Sequence, residues 1–166
     1  LFKMNNLTLI AAISENNVIG IGDKIPWRIK EDMLRFKNLT LNHPVIMGRK
    51  TYESIPEKFR PLPDRKNIIL SKTLGDQNGI YIAKNIDEAL NFTEKKDSYI
   101  IGGEEIYKMF LPLSNKIELT RVHKNYEGDV FFPEVNWDEW NLINDSGKLS
   151  TDKDTEYSFL TYEKIR

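Results

Sequence analysis

Cysteine is absent from this chain, which excludes a disulfide framework and thiolate chemistry. Histidine is scarce: His43 and His123 stand far apart, so a His-rich metal centre is not expected. No apolar run reaches membrane-spanning length and the N-terminus carries no signal-peptide pattern; cytoplasm is the expected compartment. An excess of either charge is also missing. At a formal net charge of -1, nothing draws the whole molecule towards nucleic acid or an acidic membrane.

What is there describes an ordinary globular chain: 166 residues, 40% hydrophobic and 30% charged. That length suits one domain with a sizeable core and would be cramped for two. No linker, low-complexity stretch or internal repeat divides it, so one domain over 1–166 is expected, with LFKMNN at 1–6 as an irregular N-terminal extension.

Short, nearly uncharged apolar runs at 7–14, 44–48, 67–71, 79–83 and 98–103 suit strands covered on both faces, as in a parallel sheet. Helical patterns lie between them at 31–39, 51–55, 86–95 and 104–111, the third with Asn85 or Asp87 near its N-cap. After residue 112 the character changes. Residues 116–122, 129–134 and 157–165 read as strands without intervening helices, joined by polar loops. The aromatic DEWNLIN stretch reads as packing residues. The expected fold is therefore α/β: a mostly parallel sheet with an antiparallel end and flanking helices.

Asp32 is the residue that poses the chemical question. At about 100° per residue, Phe36 and Leu39 share its direction on the helix, with Met33 and Thr40 at the edge of the same face. Lys30, Glu31 and Arg35 are expected to point elsewhere. A carboxylate among apolar neighbours either favours the helix N-terminus electrostatically or receives its hydrogen bonds from a ligand. A planar amidine-like group with two parallel N–H bonds would match it. The preceding GIGDKIPW adds a loop and an indole, Trp27, that could cover such a ring.

Three strand ends carry anion-binding features. In VIMGRKTYESI, Gly48 allows close approach, Thr51 opens a short helix, and Arg49 and Lys50 bring positive charge. In IILSKT, Ser71 and Lys72 follow a strand at a place where an acid would favour NAD, and so suit a 2′-phosphate. In YIIGGEEIY, Gly102-Gly103 lets backbone amides approach a pyrophosphate, without making a G-x-G-x-x-G fingerprint. Each segment alone also reads as a solvated turn. Arg60 and Arg65, in the proline-stiffened RPLPDRKN, could hold the carboxylates of an acidic substrate tail or merely sit at the surface.

Together, and in this order and spacing, IAAIS, NNVIGIGDKIPWRIKEDMLRFK, VIMGRKTYESI, RPLPDRKNIILS, YIIGGEEIY, ELTRV and EGDVFFPE resemble dihydrofolate reductase of the bacterial type over nearly the whole chain. The resemblance implies a central eight-stranded, mostly parallel sheet with an antiparallel C-terminal strand. It implies hydride transfer from NADPH to C6 of 7,8-dihydrofolate with protonation at N5, supporting one-carbon and nucleotide precursor synthesis. It implies a monomer that binds a small-molecule substrate.

Carried over by position, Asp32 resembles the acid that binds the pterin, and Thr120 the threonine that supports it. Ile10 and Ile101 match positions whose carbonyls meet the pterin amine; Met33, Phe36 and Ile55 pack around the substrate. Arg65 corresponds to the clamp on the glutamate carboxylate, with Arg60 flanking the tail. Trp27 and Tyr107 join Asp32 and Thr120 as catalytic-site positions, Tyr107 near the nicotinamide. For the cofactor the resemblance points to Ala12, the loop Val18, Ile19, Gly20, Ile21, Gly22, Asp23 and Lys24, then Gly48, Arg49, Lys50, Thr51, Ser71 and Lys72, and finally Gly102, Gly103, Glu104, Glu105, Ile106 and Tyr107. It also implies a cis bond between the paired glycines. Two departures stand out: IPEKFRPLP is three residues longer than the usual bacterial segment, and Glu104 replaces a small residue. A riboflavin-pathway reductase of the same fold and a catalytically silent folate- or nucleotide-binding module remain as rival readings.

Overall fold

The computed structural model describes residues 5–20 and 24–166. Chain order begins with β1 (Leu7–Ser14), a short β2 (Val18–Gly20) and α1 (Lys30–Thr40). β3 (Val45–Gly48) runs straight into α2 (Arg49–Ser54), and β4 (Asn67–Leu70), β5 (Ile80–Ala83) and α3 (Ile86–Phe92) follow. β6 (Ser98–Gly102) leads into α4 (Glu104–Phe110). The remainder is strand: β7 (Lys116–Val122), β8 (Val130–Phe131), β9 (Trp140–Asp145), β10 (Leu149–Ser150) and β11 (Glu156–Lys164).

The main sheet runs β10-β11-β7-β1-β6-β3-β4-β5, and β9 also pairs with β11. β10 takes Glu156 and Tyr157 of β11 while β9 takes Leu160 to Lys164. These two therefore share one edge, and the sheet has eight positions. From β7 to β5 every pairing is parallel; β11 and its two edge partners are antiparallel.

Strand residues alternate between two covered faces, which is why the runs read as continuously apolar. Leu9, Ile46, Ile68, Ile100, Ile117 and Leu119 point to the face of α3 and α4 and pack with Ala89, Ile106 and Phe110. Val45, Met47 and Ile69 point to the other face with Tyr52 of α2. Asn67, fully buried between them, is satisfied by closing the turn before β4: it accepts from Leu62 N and donates to the carbonyls of Leu62 and Arg65.

Several expected elements change extent. α3 stops at Phe92 rather than 95, because Thr93 turns its hydroxyl back onto Leu90 O and Glu94 and Lys95 adopt positive φ. Its start is capped by Asn85, whose side chain accepts from Glu88 N. Within 129–134 only Val130 and Phe131 pair, antiparallel with β2, whose segment read as loop in the sequence. The stretch read as packing residues around DEWNLIN is instead the edge strand β9, with Trp140 buried and the five residues after it exposed.

Candidate active site

Asp32 does not cap α1. The N-cap is Ile29, with no side-chain cap, and Asp32 lies in the first turn, where a negative charge is favoured. Its side chain turns to the sheet: Asp32 Oδ1 accepts a hydrogen bond from Thr120 Oγ1 of β7 at 2.5 Å. Burial pushes the carboxyl above the ordinary carboxylate value; the Thr120 hydroxyl and the charge of Arg35 pull the other way. Such a group is short of donors for its ionised form.

Beside it the sheet opens. β1 pairs with β6 only from Leu7 to Leu9, opposite Ser98 to Ile100, although β1 continues to Ser14 along β7. On the other side of β6 the register with β3 jumps from Ile46–Ile100 to Met47–Gly102, so Ile101 is left out of the ladder. Chain connectivity also reverses between β1 and β6. The connection after β1 passes through α1 towards β3, and that after β6 passes through α4 back to β7 on the far side of β1. Ligands of open α/β sheets bind at such a switch point, at the carboxyl ends of the strands. Ile10 and Ile101 stand on its two walls. Ile10 O already accepts the Tyr107 hydroxyl at 2.7 Å, and burial pushes that phenol's pKa well up, so it acts as a neutral donor.

Phe36 and Ile55 are half-buried, whereas Met33 is 61% exposed. Trp27 packs at the edge of a cluster of Ile29, Val122 and Tyr157, its ring 5.1 Å from that of Tyr126. The structure therefore seats the indole against the loop after β7. Arg65 donates to Thr40 Oγ1 at 3.1 Å and Pro63 O at 2.9 Å, which fixes its guanidinium at the C-terminal end of α1; burial lowers its pKa. Arg60 donates to Glu53 O at 2.9 Å and lies over the Tyr52 ring, so it closes the end of α2.

The second group of predicted residues gathers at the carboxyl ends of β6, β3 and β4, three neighbouring strands. Gly48 pairs with Leu70, which places Arg49–Thr51 next to Ser71–Lys72. Lys50 and Lys72 are exposed, and Arg49 pairs with Glu53 at 2.6 Å. Ser71 Oγ accepts from Leu74 N at 3.0 Å and Thr73 N at 3.2 Å, shaping the turn. The Gly102–Gly103 bond is cis, and a Cβ on Gly103 would stand 3.4 Å from Thr51 Oγ1. Gly48 and Gly102 also answer to packing: a Cβ there would lie 3.1 Å from Ile106 Cγ1 and from the Tyr107 ring respectively. Ile106 is buried in the core, so its side chain is no part of an open surface, while Glu105 is exposed. Ala12 is half-buried opposite Thr120.

Of the loop before Trp27, Val18 and Gly20 are buried in the ribbon with β8, Ile19 is half-buried and Lys24 is exposed. Ile21, Gly22 and Asp23 lie outside the described residues.

Two contacts escaped the sequence reading. Arg35, expected to point away, reaches the sheet and pairs with buried Glu118 at 2.5 Å. Glu104 accepts from Phe131 N at 3.1 Å, joining the start of α4 to the ribbon. Helical angle gives a weak hint of the first, since Arg35 is only about 60° from Asp32. Nothing local hints at the second.

Comparison with known proteins follows the same outline. The dihydrofolate reductase family model matches residues 6–164. The chain belongs to the dihydrofolate reductase family. Dihydrofolate reductase of Staphylococcus haemolyticus is 41% identical over 166 residues, covering 96% of each chain. That of Haemophilus influenzae is 43% identical over 136 residues, covering 81% of this chain and 83% of its own. The solved dihydrofolate reductase of Enterococcus faecalis, complexed with NADP(H), superposes with a TM-score of 0.88 at 29% identity over the whole of both chains.

The family implies a nicotinamide dinucleotide phosphate, and the strand ends fit one. Exposed Lys50 and Lys72, with Arg49 beside them, gather positive charge where β3 and β4 end. Gly103, half-buried, leaves the space beside Thr51 free of a Cβ. No acid stands at Ser71 or Lys72 to select an unphosphorylated ribose.

Proposed function

We propose that this chain reduces 7,8-dihydrofolate to tetrahydrofolate with NADPH, and that Asp32 is the acid which seats the pterin. The observation that carries this is the Asp32–Thr120 pair: a carboxylate held at 2.5 Å by one hydroxyl, raised in pKa by burial, beside the crevice where β1 and β6 part. The 2-amino group and N3 of a pterin are paired donors, and they complement the remaining lone pairs of such a carboxylate bidentately.

Bound NADPH supplies the hydride. The chain's own residues do the rest. Asp32 binds and orients the pterin edge and polarises the ring, so that N5 becomes easier to protonate as C6 is reduced. Thr120 keeps the Asp32 carboxylate in one orientation. The Ile10 and Ile101 carbonyls offer backbone acceptors to the pterin amine, and the Tyr107 hydroxyl donates to Ile10 O as well. Phe36 and Ile55 exclude water from the ring, which strengthens the polar contacts left inside. Arg65, fixed by Thr40, receives the tail carboxylate, and Arg60 serves by shaping the segment before it. Arg49, Lys50, Thr51, Ser71 and Lys72 hold the cofactor phosphates, with the Gly102–Tyr107 turn and helix beside the nicotinamide half. One domain acting as a cytoplasmic monomer, without a nucleic-acid partner, completes the reading; no helix of the described residues is long and apolar enough to cross a membrane.

The test is spectrophotometric. NADPH absorbance is followed with and without dihydrofolate, and then with NADH. Oxidation that requires dihydrofolate and favours NADPH is expected. Ligand binding without oxidation would mark a silent binding module instead.

A further inference from the structure

Asp32 is not the sole charged residue by which α1 grips the sheet. One turn later, Arg35 Nη2 meets Glu118 Oε2 at 2.5 Å, and its guanidinium lies 4.7 Å from the centre of the Phe159 ring. Glu118 is 5% exposed and fully engaged: Thr161 Oγ1 donates to the same oxygen at 2.7 Å, and Lys116 Nζ stands 3.6 Å from the other. Glu118 and Thr120 are two residues apart on one strand, hence on one face of β7. Across the ladder they stand opposite Thr161 and Phe159 of β11.

The helix is thus tied to β7 at two points, Asp32 to Thr120 and Arg35 to Glu118. Two polar contacts one turn apart to the same strand set the rotation of its N-terminal half. A buried acid with no ligand role is costly unless well paired. Glu118 makes most sense as the anchor that holds the Arg35 guanidinium in place. We propose that Arg35 is a positioning residue for Asp32: clamped by Glu118 and Phe159, it fixes the rotation of α1 and keeps a positive charge beside the pterin-binding carboxylate.

This rests on the role proposed for Asp32 and deepens it. Other groups that face Asp32 do not substitute for Arg35. On its own helix Glu31 is an acid; from β7, Glu118 is an acid already paired with Arg35, and Thr120 is uncharged. From β11 and α4, Tyr157 and Tyr107 have pKa values raised by burial and by this same carboxylate, and are neutral. Arg35 pulls the Asp32 pKa down against the larger effect of burial.

The experiment titrates the Asp32 carboxyl by carbon-13 NMR in the ligand-free protein, for wild type, Arg35→Met and Arg35→Lys. In Arg35→Met the midpoint is expected to move up, the Asp32-dependent limb of the pH–rate profile to move up with it, and the dihydrofolate KM to rise about tenfold, the scale of one charge-assisted contact. NADPH affinity, read by fluorescence quenching, should be unchanged. Arg35→Lys should restore most of the midpoint. An Asp32 midpoint identical in all three proteins would overturn the proposal, as would equal losses of NADPH and dihydrofolate affinity. If Arg35→Met leaves Glu118 too poorly paired to fold, Arg35→Met with Glu118→Gln removes the lone buried charge and is held to the same outcomes. Failure of the proposed activity looks different: wild type itself would not oxidise NADPH with dihydrofolate.

Discussion

Asp32 concentrates the conflict between folding and function in a single side chain. Its pKa in the folded protein lies above the unfolded value, with burial as the leading cause. Stability from such a group is complete below the unfolded value and is lost as pH rises through the folded one. The ionised carboxylate therefore destabilises the ligand-free protein at neutral pH. Asp32→Asn should melt higher than wild type at pH 7 without ligand, and the difference should close as pH falls towards 3.8, the ordinary value. Thermal denaturation across pH reads this directly. The same variant should lose about 100-fold or more in turnover at neutral pH, with a smaller loss at low pH where dihydrofolate is already protonated. Thr120→Val, which keeps the shape and removes the donor, should lower kcat/KM for dihydrofolate about tenfold and leave NADPH affinity alone. The position of Asp32 among Phe36 and Leu39 was legible from helical angle. Its partner was not: Thr120 lies 88 residues away, and only the resemblance pointed there.

At the scale of elements, periodicity revealed those whose burial is regular. α1, α2 and α4 and the parallel strands alternate or repeat as burial on a sheet requires, and they appear within a few residues of expectation. Short pairings and exposed edges were less visible: β9 shows six residues of which only Trp140 is buried, and of the short β2–β8 ribbon only the β8 side, within 129–134, read as strand. Arg35 departs from its expected direction for a related reason: its partner, Glu118, sits on another element. The ribbon also depends on one glycine. A Cβ on Gly128 would collide with Val18 Cγ1 and lie 2.5 Å from Gly20 O, a backbone atom that cannot step aside as a side-chain tip can. Gly128→Ala should therefore separate β8 from β2 at a cost of about 1–3 kcal/mol. The expected readout is a lower melting temperature together with weaker NADPH binding, because the ribbon leads into the loop that precedes Trp27.

For the whole molecule, the order of strands does the assembling. Arg49, Lys50, Ser71 and Lys72 belong to segments some twenty residues apart, yet β3 and β4 are neighbours and end together. The register between Gly48 and Leu70 is what sets the two segments side by side. The sheet is likewise what sets Asp32 of α1 beside Thr120 of β7, and Ile10 across from Ile101. Cofactor choice is accordingly a property of two strand ends. Lys72→Glu should raise the KM for NADPH about tenfold by opposing its 2′-phosphate, while the KM for NADH, which lacks that group, changes little. Steady-state kinetics with both cofactors separates the two cases.

The central claim is that the ionised Asp32 carboxylate, held by Thr120 alone among the described residues, stays short of donors until a pterin provides them. Titrating that carboxyl by carbon-13 NMR, with and without dihydrofolate, measures it most directly. The account predicts a midpoint above the ordinary carboxylate value in the free protein and a fall when dihydrofolate binds. A midpoint at the ordinary value in the free protein, or one that dihydrofolate leaves unmoved, would contradict it.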